Sequence, residues 1–140
     1  MADTTASMLE DIYDAWRAQN LDLLASYLPD DFCHVMYFPT SLSPDAGVCH
    51  GKSHVLDRWR AYMQPFDFLK FEPKALMISK DRAAAEINLH YRHRETGCDL
   101  KTVKANFWTM EEGWPVRLTE YYDVGSLEAF AANVRARAQA

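Results

Sequence analysis

Four residues in two short apolar segments are the candidates for chemistry in this sequence. His34 lies in FCHVMYF (residues 32–38), and Glu120, Tyr122 and Asp123 lie in RLTEYYD (residues 117–123). A histidine beside a carboxylate can work as an acid/base couple, because either group can titrate near neutral pH. A tyrosine can add a hydrogen-bond donor. Whether such a couple forms depends on the elements that carry these residues and on the faces to which their side chains point.

Other kinds of site fit the sequence less well. Cys49, His50 and His54 lie close together, but the two histidines lack a third firm ligand, so we expect no metal site. His90 and His93 are three residues apart in a predicted strand, where they point to opposite faces and cannot bind one ion. With five glycines, the sequence has neither a glycine-rich phosphate loop nor a nucleophile elbow. We therefore expect chemistry without a metal or cofactor.

The composition indicates one globular domain, residues 1–140. The 15 basic and 20 acidic residues give a net charge of −5, which argues against nucleic-acid binding. We expect no membrane-spanning segment and no secretory signal, since neither pattern occurs in the sequence. An odd number of widely spaced cysteines, three, favours reduced thiols in a cytoplasmic protein over a disulfide framework.

Aromatic residues make up 13% of the chain, a fraction with two interpretations. They can form a large solid core, or they can line a chamber that they do not fill. Composition alone leaves both open.

The hydrophobic spacing predicts helices first and strands afterwards. Ser7 and Glu10 have the spacing of a capping box at the start of a first helix. The period changes from 3.6 to 2 after Pro65, and tight turns at residues 96–97 and 111–113 separate long strands. Later helices are predicted at residues 21–28, 53–63 and, capped by Gly125 and Ser126, up to about residue 138. Strands are predicted at residues 32–38, 66–79, 82–94, 99–110 and 116–124, with a loop at 39–51. This order predicts an α+β fold in which helices cover the concave side of a curved meander and leave a pocket.

Three stretches resemble those of a known family. NLDLLASYLPDDF (residues 20–32), HGKSHVLDRWRAYM (residues 50–63) and RLTEYYD follow the order of the nuclear transport factor 2-like superfamily. The chain resembles its SnoaL-like and ketosteroid isomerase-like members over nearly its whole length. The resemblance implies a cone-shaped, curved antiparallel sheet wrapped around N-terminal helices (a cystatin-like roll), and a homodimer formed through the sheet. The superfamily includes isomerases, dehydratases, polyketide cyclases, epoxide hydrolases and transport adaptors, so the fold alone implies no activity.

The resemblance also locates the positions that ketosteroid isomerase chemistry needs. That chemistry requires an Asp base, a Tyr donor and a protonated Asp donor. In this sequence the three positions fall on Met36, on Ile12 (with Tyr13 one residue away), and on Ala105, which is counted back from the turn residue Gly113. The side chains of methionine, isoleucine and alanine cannot transfer a proton. We therefore expect no ketosteroid isomerase activity.

The same comparison implies which strand residues face the chamber. Because residues two apart in a strand share a face, the inward set follows from Met36 and Ala105 on their strands and from Tyr122 on the last strand. That set is His34, Met36, Phe38, Val103, Ala105, Phe107, Leu118, Glu120 and Tyr122. The predicted ligand-contacting residues are Tyr13, Trp16, Met36, Phe38, Trp59, Tyr62, Ala105, Phe107 and Leu118. Asn106 and Trp108 are expected on the opposite face, as are His90 and Arg92 unless a bulge near residues 96–97 turns them inward.

The predicted catalytic residues are His34, Glu120, Asp123 and Tyr122. An unpaired carboxylate in an apolar wall should have a raised pKa, and a His34–Glu120 pair would relieve that penalty. In this hypothesis Glu120 or Asp123 is the base, His34 the acid, and Tyr122 or Tyr13 a donor. The alternatives are that Glu120 and His34 are satisfied core groups and that Asp123 caps the last helix.

The leading functional hypothesis is a SnoaL-like small-molecule pocket protein that performs acid/base chemistry without a cofactor. Isomerisation, dehydration, cyclisation and epoxide hydrolysis are the reaction types it covers. The substrate would be apolar and of terpenoid, polyketide or aromatic size. The competing hypothesis is a non-catalytic ligand-binding or protein-interaction domain. Expected partners are an apolar ligand and a second copy of the chain, without nucleic acid or membrane.

Overall fold

The computed structural model describes residues 2–139, which contain four helices and six strands. The helices are α1 (Ala2–Arg17), α2 (Leu21–Tyr27), α3 (Lys52–Met63) and α4 (Val124–Ala138). The strands are β1 (Cys33–Tyr37), β2 (Gly47–His50), β3 (Phe66–Ser79), β4 (Arg82–His93), β5 (Asp99–Glu111) and β6 (Trp114–Tyr122). These strands form one curved, open sheet in the order β2-β1-β6-β5-β4-β3.

The predicted α+β class is confirmed, and the sheet differs from the prediction in two ways. β1 pairs with β6 in parallel, so the sheet is mixed instead of antiparallel throughout. β2 falls inside the segment predicted as a loop and pairs antiparallel with β1 at the sheet edge. Its four residues are too few to give a readable alternation of apolar and polar side chains.

Two predicted helix starts are wrong. α1 begins at Ala2, so Ser7 lies within the helix and does not cap it. α4 begins directly after Asp123, and not after the predicted cap at Gly125 and Ser126. The Asp123 carboxylate accepts hydrogen bonds from the backbone N–H of Ser126 at 3.4 Å and from its hydroxyl at 2.8 Å. Asp123 therefore satisfies a backbone donor that the first turn of α4 leaves without a partner in the helix.

The core lies between the helices and the concave face of the sheet. Trp59 of α3 packs edge-on against Trp16 of α1, with ring centroids 5.0 Å apart, and against Phe32 at 5.9 Å. β4 alternates as predicted and buries Ala83, Ala85, Ile87, Leu89 and Tyr91. Part of the aromatic content therefore fills solid core.

β5 presents the opposite face from the one predicted. Trp108 is 2% exposed and points into the core together with Asn106, whereas Phe107 is 47% exposed. Val103 and Ala105 share the outer face with Phe107. The predicted inward positions of Val103, Ala105 and Phe107 are therefore wrong, as are the outward positions of Asn106 and Trp108.

The reason is an extra residue in the β5–β6 hairpin. Next to the turn, Met110 pairs with Pro115, and further along Thr109 pairs with Arg117. Val116 is therefore unpaired, as in a β-bulge. Without this bulge Ala105 would lie opposite Glu120 and share its face. With the bulge, Asn106 lies opposite Glu120.

A substitution on each face of β5 tests this orientation. Trp108 Nε1 donates a hydrogen bond to the Tyr13 hydroxyl at 2.8 Å. Trp108→Phe removes that donor, and we expect a loss of about 1–2 kcal/mol in the free energy of unfolding. Lys101→Met, at an exposed position of the outer face, should change it by less than about 0.5 kcal/mol. Urea unfolding measures both, and the reverse ranking would contradict the orientation.

Candidate functional site

Four side chains meet in a buried hydrogen-bonded group, the Glu120 cluster: Glu120, His34, Lys104 and Tyr122. His34 Nε2 lies 3.2 Å from Glu120 Oε1. Lys104 Nζ donates to Glu120 Oε2 at 3.1 Å, and the Tyr122 hydroxyl donates to the same oxygen at 2.8 Å. Glu120, His34 and Lys104 are 2%, 1% and 3% exposed. The cluster forms because β1, β6 and β5 are neighbours in the sheet.

Lys104 is the member of the cluster that sequence reasoning missed. The predicted orientation of β5 places it on the outer face, but its Nζ lies 5.1 Å from the ring centroid of Trp16 and 5.5 Å from those of Phe71 and Tyr122. Aromatic faces attract a cation at such distances. The sequence does contain a signal that Lys104 is buried: it lies four residues before Trp108, so both side chains are on the same face of the strand.

The cluster fixes the ionisation of its acid. Burial would raise the pKa of Glu120, but the charge of Lys104 and the hydrogen bonds from His34 and Tyr122 outweigh burial and lower it. Burial raises the pKa of Tyr122, and the charge of Glu120 raises it further. Glu120 is therefore a carboxylate and Tyr122 a neutral phenol near neutral pH. The condition for a raised pKa, an unpaired carboxylate, is not met, because His34, Tyr122 and the unforeseen Lys104 all pair with Glu120.

A cavity of about 250 Å³ lies beside the cluster. Tyr122 forms part of its wall, as do the predicted ligand residues Met36, Phe38 and Tyr62. The rest of the wall consists of Leu42, Ser43, Phe66, Tyr91, Leu100, Leu127, Phe130 and Ala131. Since a cavity of about 150 Å³ can hold benzene, this one has room for a molecule with more than one ring.

Four other predicted ligand residues line a separate and nearly filled space. Tyr13, Trp16, Trp59 and Leu118 surround a void of about 10 Å³ on the side of the cluster where Lys104, Asn106 and the Glu120 side chain also lie. That volume is about enough for one water molecule. The structure therefore places these four side chains in the packed core next to the cluster, and not in the wall of the larger cavity.

Three further predicted site residues lie away from the cavity. Ala105 and Phe107 are on the outer face, where Phe107 packs edge-on against Tyr121 at a centroid distance of 5.7 Å. The prediction that Ala105 and Phe107 line the chamber is wrong, because the bulge at Val116 shifts the register of β5 and turns these residues outward. Asp123 is exposed at the start of α4, and its hydrogen bonds with Ser126 lower its pKa.

The remaining sequence candidates lie on the outer face of β4. Arg92 Nε donates to Asp99 Oδ1 at 2.8 Å, and His90 Nε2 lies 3.3 Å from the same oxygen. The pairing of β4 with β5 is regular from residue 82 to residue 92, so no bulge turns His90 and Arg92 inward. Among residues 2–139, no three His, Cys, Asp or Glu side chains are grouped as metal ligands. No helix in the described part of the chain has the length and apolar character needed to cross a bilayer.

Comparisons with known proteins agree with this architecture. The family model described as SnoaL-like domain matches residues 9–121. No curated protein has a sequence that matches the chain. A protein from Rhodopseudomonas palustris, named as a candidate isomerase, is similar with 19% identity, 92% of this chain and 96% of that chain covered, and a TM-score of 0.79. An NTF2-like protein from Burkholderia xenovorans LB400 has 14% identity, coverage of 91% and 95%, and a TM-score of 0.75.

A third solved structure is that of TerC co-crystallised with polyporic acid, with 15% identity, coverage of 94% and 98%, and a TM-score of 0.78. At these identities the similarity establishes the fold alone. The family model covers most of the chain, including β1, β5 and β6, which carry the Glu120 cluster. The chain therefore belongs to the family of SnoaL-like domains and has the α+β cone fold of NTF2-like proteins.

Proposed function

We propose that the protein binds an apolar small molecule in the 250 Å³ cavity and that the Glu120 cluster performs acid/base chemistry on it without a cofactor. The supporting observation is the position of Tyr122. It lines the cavity, and its hydroxyl donates to Glu120 Oε2 at 2.8 Å. A substrate proton held at the Tyr122 oxygen is thus one hydrogen bond away from a buried carboxylate.

The proposed chemistry is a proton relay. The substrate proton passes to the Tyr122 oxygen while the Tyr122 proton passes to Glu120 Oε2, so that the negative charge moves from the carboxylate to the substrate. Lys104 Nζ lies 3.5 Å from the Tyr122 oxygen, so a cation stays next to the oxygen through which the proton passes. Isomerisation, dehydration and cyclisation can each begin with such a proton abstraction, and a water molecule attacking an epoxide can lose its proton by the same route.

The ligand is proposed to be a ring compound with an oxygen at one end. The cavity wall is mainly apolar, and its side-chain hydroxyls come from Ser43, Tyr62, Tyr91 and Tyr122. A few placed polar groups in an apolar wall are typical of sites that orient a small molecule. Polyporic acid is a suitable first probe, because TerC, which has the same fold, was crystallised with it.

The test of binding is a substitution that fills the cavity. Ala131 of α4 lines the cavity, and its neighbour Ala132 is exposed. A thermal-shift screen of one- to three-ring compounds, including polyporic acid, identifies ligands of the wild type. We expect Ala131→Trp to weaken their binding at least about tenfold, or ~1.4 kcal/mol, and Ala132→Trp to leave it unchanged. Calorimetry measures both affinities.

Equal affinity in the Ala131→Trp and Ala132→Trp variants would place the ligand elsewhere. Mass spectrometry of the bound compounds after incubation with the wild type measures product formation. Ligands that bind in the cavity and are never converted would favour the competing non-catalytic hypothesis.

We also propose that the protein forms a homodimer through the outer face of the sheet. Tyr37 stacks on Tyr121 at a centroid distance of 4.7 Å, next to Phe107, and all three rings are about half exposed. A contiguous exposed apolar patch of this kind is typical of an interaction surface. We expect Tyr121→Asp to increase the dimer dissociation constant at least about tenfold, because a carboxylate would be buried at the contact. Analytical ultracentrifugation measures it, and a monomeric wild type would contradict the proposal.

A further inference from the structure

Arg58 of α3 connects the Glu120 cluster to the loop between β1 and β2 (residues 38–46), which forms one wall of the cavity. Its Nη1 lies 3.3 Å from His34 Nδ1 and donates to the carbonyl oxygen of Gly47 at 2.8 Å. Its Nη2 donates to the carbonyl oxygen of Asp45. The guanidinium is therefore held by the backbone oxygen of Asp45 in the loop and by that of Gly47, the first residue of β2, while it faces the imidazole of His34.

A second contact between α3 and the loop reinforces the first. Tyr62, four residues after Arg58 and on the same side of the helix, forms a hydrogen bond with the Ser43 hydroxyl at 2.8 Å. Leu42 and Ser43 belong to the cavity wall. One face of α3 thus holds the loop against the cavity and also reaches His34.

The contacts of His34 determine where its proton lies. A guanidinium can only donate hydrogen bonds, so His34 Nδ1 accepts from Arg58 and carries no proton. The proton is then on Nε2, which lies 3.2 Å from Glu120 Oε1, and a carboxylate can only accept. The Glu120 contact places a proton on Nε2, and the Arg58 contact leaves Nδ1 without one, so together they correspond to an imidazole protonated at Nε2 alone.

The surroundings of the ring favour that form. The charged and titratable groups around it are Arg58 from α3, Cys49 from β2, Glu120 and Tyr122 from β6, and, behind Glu120, Lys104 from β5. A second proton on Nδ1 would point directly at the positively charged Arg58. It would also remove the lone pair that accepts the hydrogen bond of Arg58.

We propose that Arg58 is a positioning residue of the site, which keeps His34 neutral and directs its single N–H to Glu120. His34 then orients the Glu120 carboxylate, whose other oxygen faces Tyr122, instead of serving as an acid. The importance of this arrangement for catalysis rests on the proposed function, whereas the location of the proton does not.

The test is ¹⁵N NMR of the histidine rings in the full-length protein, with His34 identified by comparison with His34→Gln. We expect one protonated and one unprotonated ring nitrogen in the wild type near neutral pH, the unprotonated one being Nδ1. Arg58→Met removes the donor to Nδ1, so we expect a protonated Nδ1 to appear in its spectrum at the same pH. Arg58→Lys retains an N–H donor and should keep the wild-type spectrum. Arg60→Met is the matched control, because Arg60 is half exposed and bonds Asp57 instead.

A proton on His34 Nδ1 in the wild type would overturn the proposal, as would identical His34 spectra for Arg58→Met and Arg60→Met. If Arg58→Met does not fold, the wild type and Arg58→Lys decide, since a protonated Nδ1 in either contradicts the assignment. Failure of the proposed function has a different signature: Tyr122→Phe would leave product formation unchanged while His34 kept its proton on Nε2.

Discussion

Replacement of Lys104 by methionine is expected to destabilise the protein by about 3–5 kcal/mol at neutral pH, as is usual when one partner of a buried ion pair is removed. Lys104 Nζ lies 3.1 Å from Glu120 Oε2, and both residues are buried. Methionine retains most of the apolar stem of lysine but removes the cation that lies over the rings of Trp16 and Phe71. The loss therefore comes mainly from a carboxylate that keeps its burial and loses its cation.

The pH dependence of stability should weaken in the same variant. In the wild type the pKa of Glu120 is lowered, so its contribution to stability is fully present above the ordinary glutamate pKa of about 4.3 and is lost as the pH falls. In Lys104→Met the hydrogen bonds from His34 and Tyr122 still lower the pKa of Glu120, but the charge of Lys104 no longer does. We therefore expect a smaller loss of stability on acidification than in the wild type.

Two further variants isolate the ion pair. Lys101 lies on the same strand, is exposed on the outer face, and should change stability by less than about 0.5 kcal/mol when replaced by methionine. Lys104→Met/Glu120→Gln removes both charges, and we expect it to be about 0.5–3 kcal/mol more stable than the sum of the single changes. Urea unfolding from acidic to neutral pH measures the wild type, the control Lys101→Met, the single variants Lys104→Met and Glu120→Gln, and the double variant. A Lys104→Met variant as stable as Lys101→Met would show that the pair contributes nothing.

Local patterns in the sequence predicted much of the architecture correctly. β4 has an apolar row of Ala83, Ala85, Ile87, Leu89 and Tyr91 that its charged opposite face makes unambiguous. In β6, the buried Leu118 and Glu120 alternate with the exposed Tyr121, as predicted. His34 and Glu120 were predicted to point to the same side of the sheet. In the structure His34 Nε2 lies 3.2 Å from Glu120 Oε1. Alternation within a strand depends only on neighbours along the chain, which is why it can be predicted.

β5 shows where such patterns mislead. Its inner row contains Lys104 and Asn106 beside Leu100, Trp108 and Met110, so hydrophobicity alone does not decide which face is buried. The outer row likewise mixes Val103 and Phe107 with Lys101. Lys104 is buried because Glu120, on the neighbouring strand, compensates its charge, and that contact depends on cross-strand register. The register depends in turn on the bulge at Val116, for which the sequence has no clear signal.

The division between packed core and cavity was equally beyond the sequence. Met36 and Tyr62 border the cavity, whereas Trp59, also predicted as a ligand contact, is 1% exposed and packs against Trp16, Phe32 and His34. Met36, Tyr62 and Trp59 are all apolar or aromatic residues on the inner side of the fold. Whether such side chains meet or leave space depends on the separation of α3 and α4 from the sheet, which no local pattern determines.

Removal of the Tyr122 hydroxyl is expected to lower product formation about 10²- to 10⁴-fold, the range typical of a lost acid/base group. Tyr122→Phe keeps the ring in the cavity wall and interrupts the relay to Glu120, so ligand affinity should change little. Glu120→Gln should lower the rate by a similar factor. Because both residues serve one proton path, the double variant should be hardly slower than either single variant.

Tyr121 provides the matched control, since it precedes Tyr122 in β6 and points to the outer face. Tyr121→Phe should leave the rate unchanged. Turnover of a compound from the ligand screen, measured by mass spectrometry alongside calorimetric affinity, separates loss of chemistry from loss of binding. If Glu120→Gln is inactive and Tyr122→Phe fully active, the carboxylate reaches the substrate directly and the relay is wrong. If both variants turn over at the wild-type rate while binding is intact, the Glu120 cluster stabilises the fold and the chemistry resides elsewhere.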